Sequence, residues 1–177
     1  MKRRTAVLTF VLAGAVSVAF ASGLNHWRAA LRGLEEVPSV STVATGKFNA
    51  EISRDEMSVN WELTYEDLEG TVTQAHIHFA DRDVNGGISV WLCSNLASPP
   101  TPMGVQACPP PPATISGTFT STDVVGPAGQ GIAPGQLAEL IAAIRARHTY
   151  ANVHSTMFPG GEARGQIVPG RGRPHDH

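Results

Sequence analysis

The sequence predicts an all-β domain, an antiparallel Greek-key β-sandwich with one amphipathic helix near its C-terminal third. Three observations carry this. Short segments alternate apolar and polar residues with a period of two, the pattern of half-buried strands. Glycine and proline are plentiful, 18 and 13 in 177 residues, while aromatics make up only 6 %. A single stretch breaks into helical spacing. Many short strands joined by turns, with one late helix, fit a sandwich better than a bundle.

The elements follow in chain order. "MKRR" is basic, "TAVLTFVLAGAVSVAF" is apolar, and Ala19-Phe20-Ala21 has the small-x-small form of a cleavage site. This predicts a signal peptide over 1–21, cleavage near Ala21, and a secreted or periplasmic product with no membrane segment after cleavage. A retained anchor is the alternative, but the run is short against the roughly 20 residues of a spanning helix. The net charge is −2 and grows more negative without Lys2, Arg3 and Arg4, a poor balance for binding nucleic acid.

The domain is expected over 22–168. "HWRAALRGL" opens it. In "KFNAEIS", Phe48, Ala50 and Ile52 point inward, and in "SVNWELTY" Val59, Trp61, Leu63 and Tyr65 share a face. "QAHIHF" puts Ala75, Ile77 and Phe79 on the apolar side, so His76 and His78 lie opposite. "GISVWLC" buries Ile88, Val90 and Leu92, and "TISGTFT" is a further strand. Cys93 and Cys108 bracket a proline-rich loop and, in an oxidising compartment, form a structural disulfide; neither sits in a C-x-x-C pair. Over residues 134–147, Leu137, Leu140, Ile141 and Ile144 recur at helical spacing. "TYANVH" and "EARGQIV" are the last strands, and residues 169–177 form a flexible tail.

The polar faces of three strands carry the chemistry. Ala151 and Val153 turn inward, leaving Tyr150, Asn152 and His154 outward. Ala163, Gly165 and Ile167 oppose Glu162, Arg164 and Gln166. Were these strands neighbours of "QAHIHF", then His76, His78 and His154 would converge on an outer surface beside Arg164. Rigidly alternating imidazoles suit copper or zinc. The alternative is a hydrogen-bonded polar ladder with no metal. "DRDVNGG" places Asp81, Asp83 and Asn85 at the first, third and fifth positions of a calcium loop, but Leu92 stands at the twelfth, where a glutamate belongs. It reads as a turn. Glu162, Arg164 and Asn152 either clamp the last strands through an ion pair or hydrogen bonds, or, for Arg164, guide an anion to a metal. His175 and His177 fall in the tail. His26 would bind copper(II) only if cleavage followed Gly23. No serine-histidine-aspartate set, paired carboxylates or phosphate loop stands out.

"VTQAHIHFADRDVNGGISVWL" followed by "TYANVHSTMFPGGEARGQI", with the earlier "LRGLEEVP", resembles the CHRD (chordin) domain over roughly Trp27 to Val168. Ser155 stands where the family usually has threonine, and Ala163 replaces a branched apolar residue. The resemblance implies a secreted β-sandwich module, non-catalytic, that binds an extracellular protein or surface component. The arrangement is also similar to copper–zinc superoxide dismutase. His76 and His78 would match its H-x-H ligands, His154 a later ligand and Arg164 its arginine, with no counterpart to the bridging histidine or the zinc-binding aspartate. The sandwich is therefore expected to be immunoglobulin-like or superoxide-dismutase-like. The second function class is a copper-binding (or zinc-binding) metalloprotein, redox-active toward a small anion.

Overall fold

A computed structural model describes residues 25–98 and 100–170. The signal peptide, the tail beyond 170, His175 and His177 lie outside the described residues. The strands are β1 (His26–Arg32), β2 (Thr45–Ile52), β3 (Val59–Glu66), β4 (Val72–Phe79), β5 (Gly87–Ser94), β6 (Ala113–Phe119), β7 (Thr149–Ser155), β8 (Ala163–Gln166) and β9 (Val168–Pro169). They form one antiparallel sheet in the order β5-β4-β7-β8-β1-β2-β3-β6, with β9 paired to β1. The all-β antiparallel class is as expected. Instead of two separate sheets, a single sheet curls until it nearly closes into a barrel, so one core fills its inside.

The alternation read from the sequence sets that core. β1, β2 and β3 bury every second residue: Trp27, Ala29 and Leu31, then Phe48, Ala50 and Ile52, then Val59, Trp61, Leu63 and Tyr65. Their other faces are exposed polar side chains. The helix α1 (Leu137–Arg145) contributes Leu137, Leu140, Ile141 and Ile144 to the same cluster. It is shorter than the 134–147 expected. Pro134 and Gly135 make the preceding turn, with Gly135 at φ 86°, and Arg147 at φ 66° takes the left-handed conformation that ends the helix. No helix among the described residues is long and apolar enough to cross a membrane.

The barrel stays open between its edge strands, β5 and β6, and the proline-rich loop spans that seam. The Gln106 amide donates to Leu92 O of β5 and to Ser116 O of β6, while Ser94 N donates to Gln106 O at 2.9 Å. Cys93 and Cys108 are joined, with Cα atoms 5.0 Å apart. Asn95 accepts from Cys108 N and donates to the carbonyls of Cys108 and Val72. Unpaired strand edges are templates for aggregation, and this stapled loop occupies both. Replacing Cys93 and Cys108 together by serine is expected to lower unfolding free energy by about 3 kcal/mol on the loop-entropy model. Urea denaturation checks it; an unchanged midpoint would show that the staple holds nothing.

Candidate metal centre

β4 lies between β5 and β7, and β7 lies beside β8. Across the first ladder His76 faces Asn152, His78 faces Tyr150 and Gln74 faces His154; across the second, Asn152 faces Arg164. Ala75, Ile77, Ala151, Val153 and Ala163 are fully buried on the core side. A slip of one residue would take all five out of the aliphatic core and put imidazole and guanidinium groups into it, which fixes the histidines on the opposite face. His76, His78 and His154 lie together there, and each offers a ring nitrogen within 4.8 Å of the others.

That face is not an outer surface, and here the sequence reading is corrected. His76 is 1 % exposed, His78 8 %, His154 7 % and Arg164 2 %. Three connecting segments roof it: residues 33–44 after β1, 80–86 after β4 and 156–161 after β7. Every residue of β7 is buried as a result, so this strand has two dry faces where alternation implied one.

Arg164 organises the roof. Its guanidinium donates to Asp81 O at 3.1 Å, Val84 O at 2.8 Å and Asn85 Oδ1 at 3.2 Å. The loop with calcium-like spacing thus wraps a cation, and the cation is an arginine of the same chain. Arg164 also lies 3.4 Å above the Tyr150 ring centroid, and Tyr150 stacks on His78 at 4.7 Å with the rings 1° from parallel. Tyr150 Oη accepts from Gly86 N, and the carbonyl of Gly86 meets His78 Nδ1 at 3.0 Å. Gly86 has no substitute, since a Cβ there would come within 1.9 Å of Phe79 O. Asn85 Nδ2 donates to Val37 O, and Arg82 pairs with Glu35, tying this loop to the segment after β1.

Glu162 and Arg164 do not pair with each other. Glu162 accepts from the Thr42 hydroxyl at 2.9 Å and the Glu69 amide at 2.7 Å, holding the roof at its other end. Sequence reasoning missed Glu36, which is buried and accepts from Asn152 Nδ2 at 2.6 Å. Nothing in "LEEVP" separates it from its solvated neighbour Glu35. Trp91, edge-on to His76 at 4.2 Å, was also missed. It could have been found, because β5 continues the polar face. His26 is exposed at the start of β1 and outside the group of three.

The hydrogen bonds fix the chemistry of the rings. His78 Nδ1 meets Gly86 O and His154 Nδ1 meets Pro159 O at 2.9 Å. A carbonyl only accepts, so each Nδ1 carries the proton and each Nε2 presents a lone pair. Both Nε2 atoms, and both nitrogens of His76, are buried without a partner. This is the arrangement in which an outer carbonyl orients a metal-ligating imidazole. Burial, reinforced by the neighbouring His154 and His78, pushes His76 down to about 2. Burial pushes His78 down to about 4 against the opposing Gly86 bond, and lowers His154 as well. All three are neutral at pH 7, as ligands must be. Three metal–nitrogen bonds of about 2.0–2.1 Å set the nitrogens about 3.3–3.6 Å apart, so the rings must draw in by about an ångström. His76 makes no hydrogen bond that such a movement would break.

Burial also raises Glu36 to about 7, outweighing the pull of Arg164 and the Asn152 bond. The signs of these shifts oppose. Below pH 6.5 the unfolded chain protonates His76 and His78, which the folded chain keeps neutral, and His154 is shifted in the same direction, so their contribution is lost as pH falls. Between 4.5 and about 7 the folded chain holds a proton on Glu36 that the unfolded chain releases, and this contribution is lost as pH rises. From His76, His78 and Glu36 the net between pH 5 and 6 is about one proton taken up on unfolding, or about 1.4 kcal/mol per pH unit, and His154 adds to it in the same direction. Stability is therefore expected to drop steeply on acidification through that window, and more steeply in Glu36→Gln. Denaturant midpoints across pH measure the slope; a flat profile would contradict the burial of neutral imidazoles.

Comparison with known proteins bears on the whole domain. The family model of the CHRD domain matches residues 27–167, from the second residue of β1 to the end of β8 and the core residue Ile167. No match was found among curated proteins. None was found among solved structures. The matched stretch spans most of the chain and contains every residue of the histidine centre, and the chain belongs to the CHRD domain family.

Proposed function

We propose that this CHRD domain is an extracellular, non-catalytic module that holds one transition-metal ion at His76, His78 and His154. The observation that carries the reading is the pair of Nδ1–carbonyl bonds, which leave two Nε2 lone pairs beside an unbonded third imidazole in a dry site. Burying such atoms without partners costs free energy, and a cation satisfies them together. Imidazole nitrogen suits copper and zinc, and the Irving–Williams order puts copper first.

Burial supports holding over turnover. With the rings 1–8 % exposed, a substrate has no face to approach. Arg164 is turned into the 80–86 loop with its bonds directed at that loop, which supports a structural role over guiding an anion. The Cys93–Cys108 disulfide supports an oxidising compartment, in keeping with a leader cleaved near Ala21 and a secreted or periplasmic product.

Protein purified from its own export route, without an affinity tag, is expected to carry or take up one copper per chain. His78→Ala is expected to abolish uptake while leaving the fold intact. Elemental analysis with circular dichroism reads both. Substoichiometric copper and zinc after careful reconstitution would overturn the metal reading and favour a module that only binds a protein or surface component.

A further inference from the structure

One further polar atom beside the histidines is buried without a partner: Oδ1 of Asn152. Asn152 is 2 % exposed and stands on β7 directly opposite His76, two residues before His154 on the same face. Its Nδ2 is committed to Glu36, in the segment after β1. An amide is planar, with nitrogen and oxygen diverging from one carbon. Anchoring Nδ2 on Glu36 therefore turns Oδ1 away from that carboxylate and leaves it unpartnered on the strand position that faces His76. Gly161, at φ 130°, closes the rear: a Cβ there would lie 2.6 Å from both Asn152 Nδ2 and Glu36 Oε1. Only glycine leaves the Asn152–Glu36 pair undisturbed.

We propose that the amide oxygen of Asn152 is the fourth donor to the ion held by His76, His78 and His154, with Glu36 as the group that aims it. The inference rests on the three-histidine reading and extends it from a three-nitrogen to a three-nitrogen, one-oxygen set. Four donors of this kind match the coordination number of zinc and suit divalent copper, whereas soft sulfur ligands are what select copper(I). The carbonyl oxygen gains the partner it lacks, and the first shell stays neutral beside the Arg164 guanidinium. Glu36 then works as outer-shell carboxylates do, by fixing the orientation of a ligand.

The test is copper(II) titration of the full domain against a competing chelator, with electron paramagnetic resonance of the loaded protein. Asn152→Ala is expected to weaken copper(II) binding about tenfold or more and to change the spectrum. Asn152→Asp paired with Glu36→Gln keeps an oxygen of the same shape and an amide–carboxylate anchor of reversed polarity, and is expected to bind more tightly than the wild type with a changed spectrum. Glu36→Gln, which keeps the side chain but alters the anchor, is expected to weaken binding about tenfold. Wild-type affinity and spectrum in Asn152→Ala, with His78→Ala still abolishing uptake, would overturn the fourth donor and leave the three histidines standing. Failure of the wild type itself to bind would overturn the metal reading on which the proposal rests. Should Asn152→Ala not fold, the paired Asn152→Asp and Glu36→Gln variant decides. A purely structural asparagine predicts unchanged affinity and an unchanged spectrum in the paired variant; a ligand predicts tighter binding and a changed spectrum.

Discussion

The guanidinium of Arg164 is the constraint from which the rest of the centre hangs. A fully buried arginine cannot shed its charge, so each N–H must find an acceptor or a ring face. The acceptors are Asp81 O, Val84 O and Asn85 Oδ1, and the ring is Tyr150. Meeting them forces the 80–86 loop back over its own strand. That places Gly86, whose carbonyl and amide set His78 and Tyr150, and it places Asn85, which reaches Val37 and steadies the segment carrying Glu36. One cation thereby builds the lid, stacks the ring behind His78 and sets the tautomer of that histidine.

The consequence is a sheet with two different halves. β1, β2 and β3 are ordinary one-sided strands, dry within and wet without. β7 and the middle of β4, residues 75–78, are dry on both faces, with an aliphatic layer inside the barrel and an imidazole layer outside it. Polar atoms buried without partners are rare in folded proteins, and several gather here around one point. Such a concentration is a cost to the fold unless something occupies it. A metal ion resolves the cost in a single step, which is why the metal reading explains more of the molecule than a polar ladder does.

Much of this was legible in the residues, and the limits are physical. Alternation placed Ala75 and Ile77 against His76 and His78, and the apolar residues of "TYANVH" and "EARGQI" did the same for Asn152, His154 and Arg164. The disulfide and the helix followed from composition and spacing. Alternation cannot tell a face wetted by solvent from one covered by loops, because both are polar. The roof is built from segments without periodicity, so its depth and Glu36 stayed hidden. The single curled sheet was hidden too, since strand pairing across the seam depends on Gln106, a side chain in an irregular loop.

Nitrogen-15 resonances of the histidine rings in the metal-free protein test the central claim most directly, because they report tautomer and charge together. Both His78 and His154 are expected to carry their proton on Nδ1, and His78 to stay neutral at pH 5.5, where a solvated histidine is charged. Protons on Nε2 of either ring, or an imidazolium signal from His78 at that pH, would contradict that claim.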